Sequence, residues 1–360
     1  MRIFRIKLLL SSFIVAAAFC TTSCDKTTQK TQTKIDSESK SEHYDDLLTG
    51  NERSPEMAFV KIPAGEFIFG SPEDTPCRAP VAETQFKVRL THSFVIAESE
   101  ITQSQWEALD FPNPSREPGT DKPVTFVNFF EALAWCNKLS ALESLEPCYN
   151  LSSCYGKVGE GYPDDLPQSD EYSSWNAEFN FNCSGNVHQY TDYYACPGYR
   201  LPTSAEWEYA AKANTQTHTY GGDIHYVPTG DCEEQPSLEN IAWYCNNSKN
   251  NIHAVKQKKA NPWRLYDILA NVYEWTDYYF IGSSISEKAP GSLITDPTGS
   301  ETGDYVDIRG GSFRECCFVR PSRPFSVHAF ARRFDTGFRP VRTVFEDSAD
   351  ADSGSQDNSE

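Results

Sequence analysis

Near its C-terminal end the chain reads RGGSFRECCFVR, and its two adjacent thiols, Cys316 and Cys317, are the residues there best suited to chemistry. A thiolate is both a nucleophile and a soft metal ligand. Three arrangements are open to such neighbours. Each can bond to a distant cysteine, Cys77 being one candidate, or both can stay reduced as a reactive site. They can also bond to each other, but consecutive Cα atoms lie about 3.8 Å apart. That is below the usual disulfide range of about 4.4–6.8 Å, so the bond would be strained and easily reduced. Ser312 in the same stretch has no base nearby in sequence and reads as a turn residue rather than a nucleophile.

The N-terminus bears on this choice through the redox compartment. Arg2, Arg5 and Lys7 precede LLLSSFIVAAAFC, a run too short to cross a bilayer but suited to a secretory leader. TTSC follows, and Ser23 before Cys24 gives a lipoprotein-type cleavage site. The expectation is a signal peptide over 1–23, a lipid on Cys24, and a bacterial cell-envelope location with the membrane as a partner. Of the 12 cysteines, setting aside Cys20 and Cys24 leaves ten. In an oxidising envelope such an even set reads as a disulfide framework before it reads as a metal site. Cys148 and Cys196 bracket a polar insertion containing Cys154 and Cys183, which predicts two bridges there, and Cys232 with Cys245 predicts a short closed loop.

A formal charge of -19 argues against nucleic acid as a partner, since a phosphate backbone needs a basic face. Part of that charge lies in the tail EDSADADSGSQDNSE, 346–360, which has too little apolar surface to order itself. The polar stretch over 24–52 reads as a disordered tether. Between them, 53–345 forms one domain, somewhat above the usual size. Its insertion over 148–196 carries Tyr155, Tyr162, Tyr172, Trp175, Tyr190, Tyr193 and Tyr194. These suit a protein or glycan interface, or the packing of a stapled subdomain.

The elements that must position the thiols are short. FVKIPAGEFIFGS predicts a hairpin, and FKVRLTHSFVIAESEIT predicts further strands. Thr102 with Gln105, Asn128 with Glu131, and Thr203 with Glu206 each have the spacing of a capping box at a helix start. In the second of these helices Leu133, Cys136, Leu139 and Leu142 share a face, which makes Cys136 a core or disulfide residue. The class is α+β with few helices and many long loops, and long loops in a compact domain mark function or bound ions.

Seven segments in order carry a resemblance: IPAGEFIFGS, ESEITQSQWEAL, PVTFVNFFEALAWCNKLS, GYRLPTSAEWEYAAKA, RLYDILANVYEW, RGGSF and GFRP. The chain resembles the formylglycine-generating enzyme, or sulfatase-modifying factor, domain family. The resemblance implies a fold related to C-type lectins. It also implies oxidation of a sulfatase cysteine to formylglycine, using oxygen and copper(I) held by two thiolates. Counted from Phe313, the matching positions are Glu315 and Arg320. Copper(I) wants soft ligands, and neither residue supplies one. A catalytically silent binding or structural module is therefore the first reading, and an oxidase rebuilt on Cys316 and Cys317 is the alternative. A non-haem iron reading finds no HxxxH pair among the seven histidines. The resemblance further implies calcium held by Asp267 and Glu274 side chains with the Ala270 and Val272 carbonyls. A second calcium would fall near Asn240, Ile241 and Asn247. Hard oxygen donors suit that ion. Arg339 matches a structural arginine with a carboxylate or backbone partner.

Overall fold

In the computed structural model, which describes residues 54–160, 181–228, 231–279 and 291–345, each of the three expected helix starts is a capping box. The expected leader, tether and tail lie outside the described residues, as do Tyr162, Tyr172 and Trp175 of the insertion. Thr102, Asn128 and Thr203 accept from the third residue of helices α1 (Gln103–Glu107), α2 (Phe129–Leu142) and α3 (Ser204–Lys212). The Gln or Glu at that third position reaches back to the cap amide, so two first-turn donors are satisfied at each start.

Helix α2 is buried almost all round, from Phe129 through Ser140, which exceeds the single apolar face that the spacing predicts. A helix enclosed this way is the centre of a core rather than its wall. Trp135, Trp106, Phe338 and Trp275 pack in the same cluster. Cys136 sits within it as an unbonded thiol.

The strands are β1 (Phe59–Ile62), β2 (Gly65–Phe69), β3 (Phe86–Leu90), β4 (Ser93–Ala97), β5 (Cys154–Tyr155), β6 (Asn182–Cys183), β7 (Tyr273–Tyr279), β8 (Leu293–Thr295), β9 (Tyr305–Arg309), β10 (Phe325–His328), β11 (Thr336–Phe338) and β12 (Val341–Val344). The expected hairpin around Pro63-Ala64 does not form. β1 pairs with β4, and β2 pairs with β3. The reason lies in the next two strands, which offer each of them an antiparallel partner, so the Pro63-Ala64 link passes from one sheet to another. The sheets run β1-β4-β12, β2-β3-β8, β10-β9-β7-β11 and β5-β6. β11 lies parallel to β7, with Gly337 opposite Glu274. This register brings GFRP beside the segment that ends in NVYEW.

Two buried polar nodes hold these pieces together. Asp277 of β7 accepts from the hydroxyls of Tyr149 and Tyr193 and lies 2.8 Å from His188 Nε2. The insertion's Tyr193 and Tyr194 are thus core residues, and Tyr194 stacks on His92 with ring centroids 4.2 Å apart. Tyr155 and Tyr190 lie nearer the surface, where Tyr190 donates to Glu146 at 2.6 Å. The second node is Glu206, which closes the α3 capping box and receives Arg200 in a two-pronged pair at 2.7 Å and 2.7 Å.

Burial alone would push the Glu206 carboxyl up, but the charge and hydrogen bonds of Arg200, and then His92, hold it down at about 2. A depressed carboxylate stabilises the fold above its unfolded value of about 4.3, and that stabilisation is lost as pH falls toward 2. Denaturant unfolding from pH 7 to pH 3 is expected to show declining stability. Glu206→Gln is expected to cost about 3 kcal/mol at pH 7 and to flatten the decline below pH 4.5.

Candidate functional site

The Gly-Gly pair ahead of the thiols is a backbone requirement: Gly310 and Gly311 have φ of 94° and 80°, values that L side chains rarely adopt. The turn they make feeds Phe313 into a small cluster with Ile252 and Val272, and it sends the following loop past the one between β2 and β3. There Cys317 is bonded to Cys77, 240 residues away, with Cα atoms 6.0 Å apart. Cys316 is free and buried, its Sγ 3.3 Å from the Glu233 carbonyl. Burial pushes this thiol up, and the hydrogen bond to Glu233 only partly offsets that. The two neighbouring sulfurs therefore form neither a vicinal bond nor a free thiol pair: the expected pairing with Cys77 is the arrangement found for Cys317, and the alternative site rebuilt from Cys316 and Cys317 is not. A sulfur held in a disulfide cannot ligate, and a buried thiol with a raised pKa is a poor nucleophile. The other expected bridges are present: Cys148–Cys196, Cys154–Cys183 and Cys232–Cys245.

The two positions where the resemblance calls for thiolates hold charges that the protein uses itself. Arg320 is buried and grips Glu83 with both terminal nitrogens. It also donates to the Cys77 carbonyl at 2.8 Å and the Cys317 carbonyl at 3.3 Å. Glu83 in turn accepts from Ser71 Oγ at 2.7 Å and the Ala79 amide at 2.8 Å. Arg320 is thus a polar rivet beside the disulfide, joining the same two loops. Glu315 lies among Tyr273, Asp335, Arg333 and Arg323. Burial and then the charge of Asp335 raise its carboxyl, against Tyr273 and the two arginines. A guanidinium and a carboxylate give soft copper(I) no seat in this loop.

The segment LYDILANVYEW builds a different centre, one of hard oxygen donors. Glu274 is bound by Arg339 through two hydrogen bonds, at 2.7 Å and 2.6 Å, and accepts from Trp207 Nε1 at 2.7 Å. Arg339 also donates to the carbonyls of Ala97 and Tyr266. Glu100 accepts from the Asn271 side chain and the Val272 amide. Asp267 accepts from the Lys256 amide at 2.6 Å through one oxygen, and its other oxygen, Oδ1, is buried with no hydrogen-bond partner. Three buried carboxylates thus face one arginine. Burial, with the charge of Glu274, lifts Asp267 to about 6 despite Lys256 and Arg339. Burial and then Asp267 and Glu274 raise Glu100 strongly.

An unpaired buried oxygen among excess negative charge is what a hard cation relieves, so Asp267 fits the calcium expectation. Glu274 fits it less well, because Arg339 and Trp207 already engage both its oxygens. Ala270, with φ of 63°, holds the left-handed turn that a glycine would take without strain. Among the described residues no three His, Cys, Asp or Glu side chains form a metal-ligating group, so such a cradle depends on carbonyls. At the second calcium position the oxygens are largely taken. The Ile241 carbonyl accepts from Tyr220, the Asn240 carbonyl from the Lys259 amide, and Asn247 closes a turn onto Tyr244 and Ala242. The Lys258 ammonium lies on the adjacent Glu239 carbonyl. Sequence reasoning does not single out Glu83 or Glu100. Neither has a spacing that marks it, since each is recognised only by the distant arginine or acids it meets.

A family model described as "Sulfatase-modifying factor enzyme 1-like domain" matches residues 44–344. Among curated proteins the chain is similar to the chaperone protein LppX of Paenibacillus barcinonensis, 31% identical over 189 residues, covering 51% of this chain and 61% of that protein. It is also similar to a formylglycine-generating enzyme of Streptomyces coelicolor, 31% identical over 136 residues, covering 34% and 38%. The chain thus spans less than two thirds of the length of these relatives. Treponema denticola variable protein 1 superposes with a TM-score of 0.58 at 27% identity, covering 82% of this chain and 99% of that one. PvdO from Pseudomonas aeruginosa, with a TM-score of 0.54 at 19% identity over 79% and 94%, shares the fold.

Two measurements check the geometry around the thiols. Alkylation after denaturation is expected to label Cys136 and Cys316 and none of the eight bridged cysteines, with neither labelled in the folded protein. Arg320→Met is expected to lower stability in denaturant unfolding by about 3 kcal/mol, because it leaves the buried Glu83 with only the longer Arg323 contact at 3.7 Å.

Proposed function

Since the chain belongs to the sulfatase-modifying factor enzyme 1-like family, we propose that it keeps that scaffold as a catalytically silent binding or structural module of the cell envelope, exported and lipid-anchored through Cys24. The observation that carries this reading is the occupancy of the two thiolate positions. One holds an arginine locked to Glu83, the other a carboxylate, and the nearest free sulfur is buried. Copper-dependent cysteine oxidation needs two converging soft ligands, and this loop supplies none.

Export is supported by four disulfides, a density that persists in oxidising compartments and is rare in reducing ones. A relative named as a chaperone shares 31% identity with the chain. That favours a role in which the domain holds another molecule rather than transforms it. Calcium belongs to the same reading as a structural ion. Asp267, with the Ala270 and Val272 carbonyls, would hold it, beside Glu274, which Arg339 and Trp207 already engage. Its charge would compensate the excess that Arg339 leaves.

Incubating the purified protein with a cysteine-containing sulfatase-type peptide, copper(I) and oxygen is expected to yield no formylglycine by mass spectrometry; turnover would overturn the silent reading. Separately, EDTA is expected to lower the melting temperature and added calcium to restore it. Asp267→Asn is expected to abolish that dependence, and an unchanged melting curve in EDTA would remove the ion from the account.

A further inference from the structure

Between β2, β3 and the C-terminal end of α3 the surface opens into a cavity of about 440 Å³, within the range of roughly 300–1,000 Å³ typical of small-molecule sites. Its walls are Phe67, Ile68 and Tyr209, with the Phe67 and Tyr209 rings 5.1 Å apart. The charged groups around it sort into those already satisfied and those left over. Lys212 is saturated, reaching Glu208 Oε1 at 2.7 Å and the carbonyls of Ile68 and Gly70 at 2.7 Å and 2.8 Å. Glu66 is paired with Arg89, and Arg320 with Glu83.

Three polar groups remain. Lys87 borders the cavity and has no carboxylate partner among the described residues. Thr75 is 5% exposed, and its hydroxyl has no hydrogen-bond partner. His218 Nδ1 is also buried without one, 3.5 Å from Asp223. A buried hydroxyl left unsatisfied costs about 1–3 kcal/mol, and a ligand atom would recover that. Lys87 thus brings to the cavity an ammonium with no ion-pair partner among the described residues, beside aromatic walls, while the lining carboxylate Asp223 faces His218. The combination suits a molecule with one anionic end and an apolar body.

We propose that this cavity binds a small amphipathic carboxylate, its apolar part against Phe67, Ile68 and Tyr209 and its charge toward Lys87, with Thr75 and His218 as further polar contacts. The group is either a free organic acid or the C-terminal carboxylate of a peptide. The site does not depend on the silent-scaffold reading, because occupancy is measured without copper or a cysteine substrate.

The test is calorimetric titration of the purified protein with 4-phenylbutyrate, with 4-phenylbutylamine as the charge-reversed control. N-acetyl-Leu-Phe is titrated in parallel, both as the free acid and as the amide. Saturable binding of at least one acid at millimolar concentration or below, with no binding of the amine, is the expected result. The tighter of the two acids then identifies the source. Lys87→Glu is expected to weaken binding about tenfold or more, equivalent to about 1.4 kcal/mol. Thr75→Val is expected to weaken it severalfold while leaving the melting temperature unchanged or raised, since it removes an unsatisfied buried hydroxyl. The proposal is overturned if neither acid binds saturably, if amine and acid bind alike, or if both variants retain full affinity.

Discussion

Buried arginine–glutamate pairing is the constraint on which the rest of this structure depends. Arg200 with Glu206, Arg309 with Glu208, Arg320 with Glu83, Arg332 with Glu131 and Arg339 with Glu274 are all withdrawn from water. Arg309–Glu208, Arg320–Glu83 and Arg332–Glu131 join segments that no strand ladder connects, Arg339–Glu274 reinforces the β7–β11 ladder, and Arg200–Glu206 closes a helix start. In a fold of short strands and long loops, the loops are held by scattered backbone hydrogen bonds and by buried side-chain pairs. A guanidinium fork supplies several directed donors at one point. Such pairs are weak evidence for net stability, because desolvation consumes much of the Coulombic gain. They do make the alternatives costly, since any rearrangement that separates one pair strands two charges in a dry interior.

The same economy is seen in the loop after the Gly-Gly turn. Beyond the turn at Gly310-Gly311, Arg320 reaches away from solvent into Glu83, and Cys317 crosses to Cys77. The contact between the two loops is thus made twice, once covalently and once electrostatically. At Asp267, by contrast, three buried carboxylates share one arginine, and one carboxylate oxygen has no hydrogen-bond partner.

Much of this is legible in the residues because the signals are local. Capping boxes at Thr102, Asn128 and Thr203 depend on three-residue spacings, and the staples of the insertion depend on bracketing. Arg339, expected to find a carboxylate or backbone partner, finds both. What escapes are relations with no local trace. Alternation around Pro63-Ala64 reads as a hairpin until β3 and β4 are known to be available. The full burial of α2 depends on what surrounds it, and the dispersed acids Glu83, Glu100 and Asp277 acquire meaning only from the arginine, tyrosines or histidine that reach them. Adjacent cysteines look like a chemical pair, yet each sulfur answers to a different neighbour in space.

The bridge from Cys77 to Cys317 encloses most of the domain within one covalent ring. A chain delivered from its N-terminus exposes Cys77 long before its partner emerges, while the three shorter-range bridges can already close. Cys77 then meets its partner only after nearly the whole domain has been made, and Cys317 comes with a second thiol, Cys316, directly beside it. In the folded protein Cys316 is tucked against the Glu233 carbonyl, so the choice between two adjacent sulfurs is held by which of them faces the Cys77 loop.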